Sequence, residues 1–293
     1  MKLLLRLLSL FVFAAGLILL SVAMGTQPQS LSHSQAQKIE PHRAYLGFDR
    51  NIYPGDDALP LLRKTFSFTG YWLSPPPGQT TNTWMGKREI LRKNGFGFAV
   101  LFRGREQKDL KSLEDASAKG EEDALATVEA AQREGFGHQT IIYLDIEEGG
   151  RLSPAYHAYL RAWRDSLTTS GFRPGVYCSG MRVKESHSDS ITTADDVHDD
   201  DATHDFVFWV FNVACLPSPG CAFPENRPSP AKSSISYASI WQYAQSPRRK
   251  EFTAHCPANY YPDGNCYAPG DTQHAWFLDV NTATSPDPSG GAK

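Results

Sequence analysis

The chain has 293 residues, of which 41% are hydrophobic and 21% are charged, and its formal net charge at pH 7 is -3. This composition is typical of a globular protein with one large domain or two small ones. It lacks the lysine and arginine excess of a nucleic-acid-binding protein, so we expect no nucleic acid partner.

The first residues have the pattern of an export signal. Lys2 and Arg6 precede a mostly apolar run over 7–20, and small residues follow at the positions that a signal peptidase reads. We interpret 1–24 as a signal peptide, or alternatively as an uncleaved anchor, because the apolar region is nearly long enough to span a bilayer. Residues 25–43, rich in Gln, Ser and His, are typical of a flexible leader. The sequence therefore predicts an exported protein of the periplasm, cell envelope or extracellular space, which contacts a membrane only if the segment stays attached.

From residue 44 the chain repeats a short apolar strand, a polar residue near its end, and a helical stretch often closed by glycine. The predicted strands cover 44–49, 66–72, 97–102, 141–147, 175–179, 206–211, 238–243 and 276–280. The predicted helices cover 57–64, 84–93, 121–134 and 154–170. Such units indicate one α/β domain over 44–283, a parallel (β/α)8 TIM-type barrel, regular or not, with a mobile tail over 284–293.

The strand over 141–147 ends in two acids, Asp145 and Glu147, which share one face because they are two residues apart. Buried carboxylates are unfavourable unless they are bonded, paired or used in chemistry, so this strand predicts a site; a salt-bridged pair at a strand edge is the alternative. In a TIM-type barrel the site lies at the C-terminal mouth, where the strands end. We expect one cleft there that is lined by Asp49, Tyr71, Arg103, Asp145, Glu147, Tyr177, Trp209, Gln242 and Asp279.

This set of side chains is typical of a sugar site, since aromatic faces stack on sugar rings while carboxylates and amides bind hydroxyls. Glycosidic cleavage needs one carboxyl to protonate the leaving oxygen and another group to stabilise or attack the positive carbon. Glu147 is the proton donor in this hypothesis, because it has the longer reach and acidic neighbours should raise its pKa. Asp145 then stabilises charge, and Asp49 and Asp279 orient ring substituents or water. The remaining substrate contacts are assigned to Tyr71, Arg103, Tyr177, Trp209 and Gln242.

Five strand motifs follow one another along residues 44–282: Gly47-Phe48-Asp49, Tyr143-Leu144-Asp145-Ile146-Glu147, Gly175-Val176-Tyr177, Trp241-Gln242-Tyr243 and Leu278-Asp279-Val280-Asn281. Together they resemble the family 25 glycoside hydrolases, which are lysozyme-type N-acetylmuramidases with an unusual barrel. The early motifs and the long third loop resemble more closely a related bacterial family, first described as a domain of unknown function and later as glycoside-hydrolase-like. By this resemblance, Asp49, Asp145, Glu147 and Asp279 match the four acidic positions of the muramidase site, and Glu147 matches its proton donor.

The chain departs from the lysozymes at three places. Arg50-Asn51-Ile52-Tyr53 follows Asp49 where muramidases usually have a small polar residue and an aromatic-glutamine pair. Arg103 and the Asp- and His-rich segment 185–205 are also unlike the lysozymes. We interpret 185–205 as a solvated loop or helix face; a metal site is the alternative.

The five cysteines fit an exported protein. Cys215 and Cys221 flank a Pro/Gly turn, and Cys256 and Cys266 flank a polar loop, so each pair could close a short-range disulfide, although spacing alone does not fix the pairing. Cys178 is left over and is interpreted as a buried strand thiol. No C-x-x-C spacing occurs and the histidines are scattered, so no metal site is expected here.

The sequence therefore predicts an exported glycoside hydrolase-like protein that cleaves peptidoglycan or another cell-envelope glycan. We expect carbohydrate as its partner, no cofactor, and a monomeric chain. One alternative is a non-catalytic glycan-binding barrel with the same cleft. Another is a structural or secretion-associated protein whose acids form only ion pairs.

Overall fold

The computed structural model describes residues 44–186, 188–214, 216, 218–253 and 259–293. Within them the strands are β1 (Tyr45–Asp49), β2 (Phe68–Trp72), β3 (Gly97–Arg103), β4 (Ile141–Asp145), β5 (Arg173–Ser179), β6 (Val183–Lys184), β7 (Ser190–Ile191), β8 (Val207–Phe211), β9 (Ala238–Ala244) and β10 (Asp279–Ala283). The helices are α1 (Leu59–Leu62), α2 (Arg88–Lys93), α3 (Leu113–Arg133), α4 (Pro154–Thr169), α5 (Thr193–Asp200) and α6 (Lys250–Thr253). Short 3-10 turns lie at Asp56–Ala58, Gln107–Asp109 and Pro230–Ser233.

Eight of these strands close into a barrel in the order β1, β2, β3, β4, β5, β8, β9, β10. The predicted α/β barrel is therefore confirmed. Neighbouring strands from β1 to β9 are parallel, whereas β10 is antiparallel to both β9 and β1. The expectation of a wholly parallel barrel is thus wrong for the last strand. In the described part of the β9–β10 connection the only helix is the four-residue α6, and without a helical crossover the chain returns antiparallel.

Helix α4 begins as predicted. The Ser153 hydroxyl accepts a hydrogen bond from the backbone N–H of Tyr156 at 3.2 Å, and Pro154 occupies the first turn. The aromatic side chains of this helix, including Tyr156 and Trp163, are fully buried. They therefore belong to the core, as the stripe spacing predicted.

Helix α3 begins at Leu113, well before the predicted start at residue 121. Ser112 caps it, because its hydroxyl accepts a hydrogen bond from the Asp115 backbone N–H at 3.1 Å. Gly120, which we placed in a loop, lies inside the helix where α3 crosses α4. A Cβ there would fall 2.4 Å from the carbonyl oxygen of Tyr159, so this glycine permits the close approach of the two helices.

A disulfide cross-links the connections that follow β8 and β9. It joins Cys221 to Cys266, whose Cα atoms are 5.3 Å apart. The short-range pairs expected from spacing are therefore wrong for these two cysteines, because parallel neighbouring strands release their loops side by side at one end of the barrel. Cys215 and Cys256 lie outside the described residues. Cys178 is a free, buried thiol, as predicted.

The acidic segment 185–205 pairs with the basic face of α4. Arg161 contacts Asp200 at 2.5 Å, and Arg164 contacts the buried Asp201 at 2.7 Å. The segment contains β7 and α5, and His187 lies outside the described residues. Asp200 and Asp201 therefore form ion pairs with α4, and this part of the segment is not a freely solvated loop.

The residues after β10 contact the barrel, in contrast to the mobile tail predicted over 284–293. The Asp287 carboxylate accepts a hydrogen bond from the Phe98 backbone N–H at 2.9 Å. The hydroxyl of Ser289, which is 1% exposed, accepts one from the Val100 N–H at 2.9 Å. These contacts anchor the segment to β3.

The predicted export signal over 1–24 and leader over 25–43 lie outside the described residues. Among the residues that are described, no helix is long and apolar enough to cross a membrane.

Candidate active site

Four acids lie together at one mouth of the barrel. Asp49 ends β1, Asp145 ends β4, Glu147 follows two residues later, and Asp279 begins β10. Because β10 runs against its neighbours, its first residue reaches the mouth where the other strands end. All four acids line one cavity of about 370 Å³, which we call the mouth cavity.

Asp49 and Asp279 are neighbours across the β1–β10 pair. The buried Asn281 donates a hydrogen bond from its amide to Asp49 Oδ1 at 2.6 Å, and the Ser246 backbone N–H donates to Asp279 Oδ1 at 2.5 Å. Burial raises the pKa of Asp49 to about 7, against the opposing hydrogen bond from Asn281. Burial, followed by the charge of Asp49, raises the pKa of Asp279 well above its ordinary value. These two carboxyls therefore retain protons far above the usual acid range.

Asp145 and Glu147 form the second pair, two residues apart at the end of β4, and the charge of Glu147 acts on Asp145. Asp145 is buried, and burial together with the charge of Glu147 raises its pKa well above the ordinary value. Desolvation in the cleft also raises the pKa of Glu147, although the interaction with the Asp145 carboxyl and the charge of Arg249 oppose it. Glu147 remains exposed to solvent in the mouth cavity. The pair thus joins a buried carboxyl to one that can meet a ligand.

Tyr177, Trp209 and Gln242 lie close to the acids, but two of them act mainly as supports. Tyr177 and the fully buried Trp209 line the mouth cavity, with their rings edge to face at 5.2 Å. The Trp209 indole N–H donates to Asn281 Oδ1 at 2.9 Å. Gln242 is buried beneath the cavity, accepts a hydrogen bond from the Tyr177 hydroxyl and donates one to Asp279. Trp209 and Gln242 therefore fix the acids through buried hydrogen bonds.

Tyr71 does not line the mouth cavity, so its predicted role as a substrate contact is wrong. Its side chain points out of the barrel, where the hydroxyl donates to Glu134. Alternate residues of a strand face opposite sides, so its neighbours Gly70 and Trp72 face inward instead. A Cβ at Gly70 would lie 2.6 Å from the Cβ of Asp49, and Trp72 lines the mouth cavity.

Arg103 lines a smaller side cavity of about 280 Å³ rather than the mouth cavity. The two cavities meet at Asp145 and Glu147, which line both. The Arg103 guanidinium is half exposed and lies 3.7 Å from the Glu106 carboxylate. It is therefore placed beside the acid pair, as predicted, but in an adjoining groove.

Several residues of the site were missed by sequence reasoning. Asn281 holds Asp49, Ser246 holds Asp279, and Trp72, Arg50 and Phe277 line the mouth cavity. Asn281 stands in a motif that we had quoted, and two-residue alternation from Asp279 would have identified it as inward-facing. Arg50 had been noted only as a departure from the lysozymes, and Phe277 lies two residues before Asp279 on the inward-facing side of the chain by the same alternation.

The acids do not form a metal centre of the usual kind. In the described ranges, no group of three or more His, Cys, Asp or Glu residues could hold a metal ion.

One family model matches about half of the chain, within the barrel. Residues 74–215 match the family model of the Rv2525c-like, glycoside hydrolase-like domain. The matched segment contains Arg103, Asp145, Glu147, Tyr177 and Trp209. The resemblance to the glycoside hydrolase-like family is therefore confirmed over this segment of the chain. No curated protein sequence matches the chain.

Three solved structures of similar fold illustrate the comparison. A crystal structure of an uncharacterized B. stearothermophilus protein is 20% identical, covers 82% of this chain and 95% of its own, and superposes with a TM-score of 0.53. The Mycobacterium tuberculosis Tat-secreted protein Rv2525c, in complex with HEPES, is 16% identical, with coverages of 84% and 97% and a TM-score of 0.48. The Streptococcus pneumoniae virulence factor GHIP, a glycosyl hydrolase 25, is 13% identical, with coverages of 82% and 86% and a TM-score of 0.49. The first of these supports the fold, and we base no functional argument on any of them.

Proposed function

We propose that this protein is an exported glycoside hydrolase that cleaves peptidoglycan or another cell-envelope glycan by acid-assisted attack on a glycosidic bond. The observation that carries the proposal is the convergence of two carboxyl pairs, Asp145 with Glu147 and Asp49 with Asp279, on one mouth cavity. The match to a glycoside hydrolase-like domain supports the reaction class. The export pattern over 1–24 and the motif resemblance support an envelope substrate.

In this mechanism the Asp145–Glu147 pair shares a proton at neutral pH, because burial and mutual repulsion disfavour the loss of both protons. Glu147 is the exposed member, so it transfers the proton to the leaving oxygen of the glycosidic bond. The transfer leaves both carboxylates of the pair charged as the glycosidic C–O bond breaks and the sugar carbon becomes positive. That charge, held in a partly desolvated cavity, stabilises the transition state. A water molecule then adds to the sugar carbon and returns a proton to the pair.

Asp49 and Asp279 lie on the adjoining wall of the same cavity. Their hydrogen bonds to Asn281 and Ser246 fix their orientation, which lets them bind ring substituents or position a water molecule. Tyr177 and Trp72 border the same space. The buried Trp72 indole N–H has no hydrogen-bond partner among the described residues, so it is available to a sugar oxygen.

The proposal is tested by incubating the protein with purified peptidoglycan and identifying soluble fragments by mass spectrometry. We expect the parent to release muramic-acid-terminated fragments, Glu147→Gln to release none, and activity to fall at alkaline pH as the acid pair loses its proton. Glu114→Gln, which makes the same change at an exposed position of α3, is the matched control and should behave as the parent.

The outcomes separate the proposed enzyme from a glycan-binding barrel. Equal fragment release by the parent and Glu147→Gln would contradict the assigned proton donor. Glycan binding by the parent without release from any envelope glycan would reject the hydrolase and favour the binding barrel.

A further inference from the structure

The mouth cavity contains a buried cation that the proposed mechanism does not use. Arg50 follows Asp49 at the end of β1, lines the cavity and is only 8% exposed. Its Nε and Nη1 atoms are buried without a hydrogen-bond partner, and no hydrogen bond or ion pair joins its guanidinium to any described residue. Burying a charge without a partner is unfavourable, so this group points to a ligand.

Stacking, rather than hydrogen bonding, holds the guanidinium in place. Its central carbon lies 4.9 Å from the centroid of the Phe277 ring, a cation–π arrangement. The Arg50 carbonyl oxygen accepts a hydrogen bond from the Trp84 indole N–H at 3.2 Å, which fixes the backbone. The ring lies against the guanidinium and offers its N–H groups no hydrogen-bond acceptor, so Nε and Nη1 remain without a partner among the described residues.

The charges of Asp279 and Asp271 act on Arg50, but both acids accept hydrogen bonds from backbone N–H groups rather than from its guanidinium. Asp279 Oδ1 accepts the Ser246 N–H, and the two oxygens of Asp271 accept the backbone N–H groups of Ala275 and Trp276 at 3.1 and 3.0 Å. Burial lowers the pKa of Arg50 and these acids oppose the shift, but a guanidinium remains charged at neutral pH. The cavity thus contains a charged guanidinium group that has no hydrogen-bond partner among the described residues.

We infer that Arg50 binds a carboxylate substituent of the glycan and thereby selects acidic sugars. A guanidinium and a carboxylate match in shape, since two parallel N–H groups meet two oxygens in one plane. The carboxylate could belong to the lactyl ether of a muramic acid that carries no stem peptide or to a uronic acid, and the chemistry at Arg50 is the same. This inference rests on the proposed glycan substrate and specifies its chemical class.

The test compares binding of three tetrasaccharides to the full chain carrying Glu147→Gln, which prevents turnover. One alternates N-acetylglucosamine with N-acetylmuramic acid, one alternates N-acetylglucosamine with glucuronic acid, and chitotetraose is the neutral reference. We expect one acidic tetrasaccharide to bind about tenfold more tightly than chitotetraose, as for a charge-assisted bidentate contact. The preferred acidic sugar identifies the source of the carboxylate.

Two further measurements isolate Arg50. Methyl esterification of the preferred tetrasaccharide should remove the tenfold preference without any change to the protein. Arg50→Met should remove it as well, with binding of chitotetraose retained as evidence of folding, and Arg50→Lys should restore part of it because the charge returns without the fork.

Equal binding of the acidic sugar and its methyl ester would overturn the inference while leaving the proposed function intact. Failure of all three tetrasaccharides to bind would overturn the inference, and fragment release in the peptidoglycan assay would then decide the proposed function separately. Equal loss of acidic and neutral binding in a folded Arg50→Met variant would assign Arg50 to the support of Asp279 instead.

Discussion

The buried carboxyl of Asp49 should weaken the fold at neutral pH, so that Asp49→Asn stabilises the protein. Asp49 is 8% exposed, and burial raises its pKa from 3.8 to about 7. The carboxyl of the unfolded chain ionises at the ordinary value, so the folded state retains a proton that the unfolded state has released. At about 1.4 kcal/mol per unit of pKa difference, burial of the ionised Asp49 lowers the free energy of unfolding by about 4 kcal/mol at pH values above the folded-state pKa.

The sign of the pH dependence follows from the raised pKa. The protonated carboxyl contributes its full stability below pH 3.8, and this contribution is lost as the pH rises through about 7. Asparagine cannot ionise and keeps an oxygen for the Asn281 amide, which donates to Asp49 at 2.6 Å. Parent and variant should therefore be similarly stable near pH 4, and the variant should gain up to about 4 kcal/mol by about pH 8.

Urea unfolding at several pH values between these limits measures the effect. Asp57→Asn is the matched control, since it makes the same change at an exposed position close in sequence, and it should not reproduce the stabilisation by Asp49→Asn. A gain from Asp49→Asn that is independent of pH, or a loss at alkaline pH, would refute the assignment of the penalty to burial of this carboxyl. The variant should also lose turnover in the peptidoglycan assay, because the proposed mechanism uses the Asp49 carboxyl although its burial destabilises the fold.

Two further substitutions test the packing around the site and the cross-link beside it. Gly70→Ala should destabilise the protein by about 1 to 3 kcal/mol and reduce turnover, because its methyl group would lie 2.6 Å from the Asp49 Cβ. Gly137→Ala is the control, since no atom lies within 4 Å of the added methyl group, and equal effects of the two variants in thermal unfolding would contradict the predicted clash. Replacing Cys221 and Cys266 together by serine should lower the free energy of unfolding by about 4 kcal/mol, because the unfolded chain regains the entropy of a loop of 45 residues. An unchanged unfolding midpoint in guanidinium would show that this disulfide does not restrict the unfolded chain.

The barrel and its acids could be predicted because both follow from local pattern. Asp49 and Asp145 end apolar strands, and strand ends of a parallel barrel share one mouth. Tyr71 shows where that reasoning stops. It lies near the end of an apolar run, as the acids do. In the barrel, however, the residue level with Asp49 is Gly70, and a shift of one residue along the strand turns the Tyr71 side chain to the opposite face. Only the register with β1, in which Gly70 faces Asp49, shows that Trp72 is the inward aromatic.

The features that could not be predicted depend on distant pairings. The Cys221–Cys266 disulfide links loops that meet only because β8 and β9 are neighbours in the barrel. Arg50 lies next to a predicted acid, but its lack of a partner becomes visible only when Asp279 and Asp271 are seen to be bonded to backbone N–H groups.

The reversed direction of β10 explains how the fourth acid joins the site. In the antiparallel pair with β1, the first residue of β10, Asp279, is the Cα partner of the last residue of β1, Asp49. Asn281 then lies one layer below, opposite Gly47, where its amide can reach both Asp49 and the indole of Trp209. A parallel β10 would carry its first residue to the opposite end of the barrel and would bring its last residue, Ala283, to the mouth. The acidic pair and its buried amide support therefore both depend on the one strand that breaks the parallel pattern.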